Sequence, residues 1–109
     1  MISRSELPQL SVELLEEKSI PFEYLYVTPT SLKPIQSDRL PFDDKHYLRR
    51  YQKIVSNTYK PLIVDLDFNI IDGHHRYDII QRMPEVTSIR VIQLGISYLE
   101  VIDLFKNNS

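Results

Sequence analysis

The sequence predicts an α/β domain in which a small mixed sheet is flanked by about four helices. Short apolar runs that read as strands, at 22–27, 61–66 and 89–94, are interspersed with segments of helical periodicity. The composition, 42% hydrophobic and 26% charged, is that of a globular chain. A strand, a glycine turn and a helix follow one another directly across 70–77. With 109 residues, one domain spanning 1–109 is expected.

Each element has a local reason. Ser11 is a natural N-cap for a helix over 11–18, with Leu14 and Leu15 on its apolar face and Pro21 after its end. Positions 22–27 alternate, which puts Phe22, Tyr24 and Tyr26 on one face of a strand. The stretch 28–41, with prolines at 29, 34 and 41, reads as a loop, including an exposed turn at Ser37 and Asp38. A helix capped by Asp43 or Asp44 is expected to reach Ser56. Its buried stripe would be Tyr47, Leu48, Tyr51, Ile54 and Val55, and its stop Asn57; its other face, Lys45, Arg49, Arg50 and Lys53, reads as solvated, with contact to a triphosphate or a nucleic-acid backbone as the alternative.

The run 61–66 is almost continuously apolar, as in a strand covered on both faces. A turn at 67–69 returns the chain as a second short strand at Ile70 and Ile71. A helix opens near His74 and is expected to continue to Met83, before Pro84, with Tyr77 packing on the same side as Ile80. The strand at 89–94 leads to a last helix over 97–106, where Ser97 and Glu100 form a capping box, and 107–109 should fray.

Composition narrows the function. A net charge of −2 and a pI near 5.9 give no overall attraction to a polyanion, so any nucleic-acid contact requires a local patch. The absence of cysteine removes disulfides and thiolate chemistry. No apolar run approaches a membrane span, and the opening MISRSELPQL lacks a signal-peptide core, so a cytoplasmic protein with no membrane partner is expected.

The chemistry concentrates at 72–76. The first N–H groups of a helix lack internal partners, and glycine allows an anion close to the backbone. Gly73, His74, His75 and Arg76 therefore suit a phosphate cradle, Arg76 as a planar fork and a histidine as hydrogen-bond donor or proton carrier. Asp72 would repel phosphate and is better suited to orienting a histidine, touching a metal or acting as a base. A polar bend with structural hydrogen bonds explains the same residues. No ligand motif for a metal site is visible.

The run Pro61-Leu62-Ile63-Val64 followed by Ile70-Ile71-Asp72-Gly73-His74-His75-Arg76-Tyr77 resembles the signature of the ParB/sulfiredoxin superfamily. The segment VTPTSLKPIQ at 27–36 is similar to that family's entry strand and turn. The resemblance implies a ParB/sulfiredoxin-like fold whose helix N-terminus holds nucleotide phosphates: a nucleoside triphosphate or diphosphate (ATP, ADP or CTP), with or without Mg2+. Its branches differ in chemistry. His74 stands where sulfiredoxins carry their nucleophilic cysteine, which excludes sulfinic-acid reduction. The partitioning proteins read Gly-Glu-Arg-Arg and add a helix–turn–helix domain for which this chain has no room. The free-serine kinases share the Asp-Gly-His-His-Arg box, but Gln36 stands near their catalytic glutamate, and glutamine is no general base.

The chain most resembles short bacteriophage domains labelled ParB-like nucleases, including Ser-Glu-Leu-Pro-Gln at 5–9. The expectation is thus binding of a nucleotide or of nucleic-acid (DNA) phosphate, with nucleotide or phosphodiester hydrolysis as the accompanying activity. Asp72, His74 and His75 would be catalytic, and Gly73, His74, His75 and Arg76 would bind. The alternatives are a small-molecule kinase of the free-serine type, with Asp72 as base, and a non-enzymatic phage accessory or virion-associated module with a phage or host protein partner.

Overall fold

Ser11 accepts a hydrogen bond from the Leu14 N–H at 3.2 Å and so starts helix α1 (Val12–Glu17), which buries Leu15. The structure, a computed structural model, describes residues 2–39 and 44–106. Strands β1 (Phe22–Val27), β2 (Leu62–Val64), β3 (Ile70–Asp72) and β4 (Ile89–Leu94) form one sheet in the order β1-β4-β2-β3. The β1–β4 and β2–β3 pairs are antiparallel and β2–β4 is parallel. Helices α2 (Asp44–Val55), α3 (His74–Ile80) and α4 (Tyr98–Lys106) complete the mixed α/β fold expected from the sequence.

Alternation along the central strands divides the core. Leu62, Val64 and Val91 face one way, toward Ile54, Ile79 and Ile80 of α2 and α3. Ile63, Ile92 and Leu94 face the other way, toward Leu15 of α1 and Val101 of α4. This explains why 61–66 reads as an unbroken apolar run: β2 is covered on both faces.

Several expectations are corrected. On α2, Tyr47, Tyr51 and Ile54 turn inward, but Leu48 and Val55 are exposed. The inward stripe is rotated, so that Arg50, three residues after Tyr47 and four before Ile54, is partly covered instead. Helix α3 ends at Ile80 rather than Met83. Arg82 and Met83 donate to the carbonyls of Ile79 and Ile80 three residues back, tightening the chain so that the Met83 side chain enters the core. The turn after β2 begins at Asp65 rather than Asp67, and Phe68 adopts a left-handed φ of 67°. Within the 28–41 loop, Pro29–Ser31 forms a 3-10 turn. Only half of the α4 capping box forms: Ser97 Oγ accepts from the Glu100 N–H at 3.2 Å, and the Glu100 carboxylate bonds the Ser97 hydroxyl rather than its backbone. Asn57, at φ 60°, stops α2 as expected. The cap at Asp43 and the ends at Leu40, Pro41 and 107–109 lie outside the described residues.

Candidate functional site

The bend from β3 into α3 is built around Gly73, whose φ of 111° is left-handed. A Cβ there would lie 2.8 Å from Leu62 Cγ and 3.2 Å from Arg76 Nη2, so the turn packs directly on the central strand. The bend opens onto a cleft of about 470 Å³. One wall is the N-terminal segment with Arg4, another is Arg50 of α2, and the floor is the 71–76 run.

The N-terminal segment is tied to this region along its length. Ile2 donates to the Ile35 carbonyl at 2.8 Å and accepts from the Ser37 N–H at 2.7 Å. Asp38 accepts from the Arg4 N–H at 2.6 Å, and Asp72 Oδ2 accepts from the Leu10 N–H at 3.1 Å. Ser37 and Asp38 are exposed.

The box residues separate into distinct roles. Arg76 Nη1 donates to the carbonyls of Lys60 and Pro61, while Nη2 lies 3.6 Å from Asp72 Oδ1. Burial pushes the Arg76 pKa down from its ordinary value; Asp72 opposes the shift and the neighbouring Arg50 adds to it. Arg50 Nη1 sits 3.3 Å from His75 Nδ1. Cations thus meet at the cleft with Asp72 as the one carboxylate among its lining residues.

His74 is only 4% exposed, and its Nε2 accepts from the backbone N–H groups of Ile35 (3.1 Å) and Gln36 (3.3 Å). An Nε2 that accepts leaves the ring neutral, with its proton on Nδ1. Burial lowers its pKa to about 4, with help from the charge of Arg39, which is itself paired with Asp78 at 3.0 Å. This yields a measurable pH dependence. Between pH 6.5 and about 4 the unfolded chain binds a proton at this site that the folded chain refuses. Stability is therefore complete above pH 6.5 and falls as the pH drops toward 4, by about 3 kcal/mol from this group. Urea unfolding across that range should show this loss in the native protein, and His74→Gln should abolish it. An equal slope in both would remove His74 as its source.

Of the residues singled out from the sequence, Asp72, Gly73, His74, His75 and Arg76 all line the cleft. Nothing in the sequence singles out Arg4, whereas Arg50 belongs to the basic face of α2 for which a triphosphate or a nucleic-acid backbone is the alternative to solvent. The inward turn of Arg50 follows from the packing of α2 rather than from its apolar positions, and Arg4 carries no periodic signal. Among the described residues no cluster of three or more His, Cys, Asp or Glu could hold a metal ion. None of the described helices is long and apolar enough to cross a membrane.

No family model and no curated protein matches the chain. Solved structures do. A pNOB8-like ParB N-domain superposes with a TM-score of 0.63 at 16% identity, over 82% of this chain and 38% of that one. A second structure of a pNOB8-like ParB N-domain gives 0.59 at 19% identity, over 79% and 35%. The C-terminally truncated chromosome-partitioning protein ParB from Caulobacter crescentus, complexed with CTP-gamma-S, gives 0.56 at 13% identity, over 80% and 54%. The fold is that of ParB N-domains, and the chain spans about half or less of the length of these structures.

Proposed function

We propose that this chain binds a nucleoside diphosphate or triphosphate with its phosphates in the cleft between Arg4, Arg50 and the 73–76 bend. The observation that carries the reading is electrostatic. Arg50 is close enough to disfavour the charge of the desolvated Arg76, and Asp72 is the one carboxylate among the cleft's described lining residues to offset them. An anion placed between them removes that repulsion and gains charge-assisted hydrogen bonds. The likeness in fold to a ParB solved with CTP-gamma-S supports a nucleotide as the source of the anion. Without a donor set for a metal among the described residues, Mg2+ would arrive on the phosphates.

The roles read from the sequence are redistributed in this proposal. Gly73 and Arg76 shape the cradle, Arg50 replaces His74 as the second grip, and His75 is the imidazole beside the anion. His74 holds the 35–36 loop against α3. Any hydrolysis would fall to Asp72 or His75 as base.

Calorimetric titration with CTP, ATP, ADP and GTP, with and without Mg2+, tests the reading. Arg50→Ala is the informative variant, because Arg76 also ties down the carbonyls of Lys60 and Pro61. Loss of one charge-assisted contact should weaken binding roughly tenfold or more. Silence with every nucleotide, or equal affinity in Arg50→Ala, would refute the assignment.

A further inference from the structure

A second cleft, of about 700 Å³, adjoins the first and shares with it Gln9, Arg50, Asp72 and Arg76. It opens on the α1 side of the sheet. Ile63 and Ile92 form its floor and Tyr24 stands at its side. Its charged lining is Arg50, Lys53, Lys60 and Arg76 against Glu13 and Asp72, and Asp72 is already engaged by Arg76 and the Leu10 N–H. The surface is therefore cationic in a chain whose net charge is −2.

The adjoining strand supplies a second kind of group. Among the described residues β1 pairs only with β4 and lies at the sheet edge, with Tyr24 opposite Ile92 and Tyr26 opposite Arg90. Tyr24 is 55% exposed and Tyr26 67% exposed, on one face of the strand two residues apart. Tyr24 is braced edge-on by Phe22, with ring centroids 6.3 Å apart. Arg90, across from Tyr26, reaches the Tyr59 carbonyl at 3.4 Å through Nη2, while its Nε is buried with no hydrogen-bond partner among the described residues. Two exposed rings beside a line of cations do nothing for the core. They supply the two elements that non-specific recognition of a single strand needs: π-faces for bases and a basic track for the backbone.

We propose that this face, Tyr24 and Tyr26 flanked by Lys53, Lys60 and Arg90, binds single-stranded nucleic acid, the bases stacking on the tyrosines and the phosphates following the cations. A duplex hides its base faces and cannot use the rings, so the surface discriminates against it. The inference is independent of the nucleotide cradle: neither tyrosine lines the first cleft.

The test is fluorescence anisotropy of the full chain with labelled dT12, U12 and a 12-base-pair duplex at low salt, beside Tyr24→Ser, Tyr24→Phe, Tyr26→Ser and Lys53→Glu. The expected result is single-strand binding that exceeds duplex binding, with either oligomer source accepted and the tighter one naming the natural class. Each serine variant should lose roughly fivefold or more, and Tyr24→Phe should retain affinity because it keeps the ring. Lys53→Glu should weaken binding and flatten its salt dependence. Because both rings are exposed, the tyrosine variants should melt with the parent protein, and nucleotide titration of the first cleft should be unchanged in them. No binding to either single strand, duplex binding as tight as single-strand binding, or serine variants that bind as well as the parent would overturn the proposal.

Discussion

Gly73→Ala should destabilise the protein by about 3 kcal/mol, because two costs coincide at one atom. The φ of 111° is a conformation that L side chains rarely adopt, and the new Cβ would stand 2.8 Å from Leu62 Cγ and 3.3 Å from Leu62 Cα. Leu62 is fully buried in the central strand and has nowhere to move. For a domain of this size each kcal/mol shifts Tm by about 4–8 °C, so thermal melting should fall by roughly 12–24 °C. Any surviving folded fraction should also lose anion affinity, since Arg76 Nη2 lies 3.2 Å from the same position. A drop of only a degree or two would mean that the bend is looser than described.

The second large effect is expected at Asp65, which is completely buried yet carries a carboxylate. Its Oδ1 accepts from the N–H groups of Asp67 (2.9 Å) and Asn69 (2.8 Å). Its Oδ2 accepts from Asn69 Nδ2 (3.0 Å) and from the Tyr98 N–H (2.8 Å) at the start of α4. One side chain thus closes the β2–β3 turn and satisfies an open donor of α4, where its negative charge also suits the helix dipole. Asp65→Ala would leave these partly buried donors without their acceptor and an empty space at a buried position, and should cost about 3 kcal/mol. Asp65→Asn keeps one acceptor oxygen for the turn but presents an amide to Tyr98, so its loss should be intermediate. Denaturant unfolding of the three proteins checks the order; equal stability of Asp65→Ala and the parent would contradict it.

These two positions show what the sequence disclosed and what it withheld. Gly73 was conspicuous because only two glycines occur and one stands between an apolar pair and a basic cluster. The strands at 22–27 and 89–94 were legible to the residue, since alternation and continuous burial leave direct marks. Asp65 left no such mark: it reads as one polar residue in an apolar run, and while its partners at 67 and 69 belong to the same turn, Tyr98 meets it only through the fold. The inward turn of Arg50 was hidden for a related reason. A stripe drawn through all the apolar positions of α2 admits Leu48 and Val55, and only the packing of α2 against α3 and the sheet selects the narrower one. His74 is the clearest case on the site itself. Composition marks it as chemistry, whereas its Nε2 serves two backbone N–H groups of a loop 38 and 39 residues away.

If phosphates sit in the cleft between Arg50 and the 73–76 bend, backbone amide chemical shifts during nucleotide titration should report them there. Saturable shifts are expected at Gly73, His74, His75 and Arg76 and at Arg4 and Arg50, with inorganic phosphate reproducing part of the pattern at higher concentration. Shifts confined to other surfaces, or none at any nucleotide concentration, would contradict that placement.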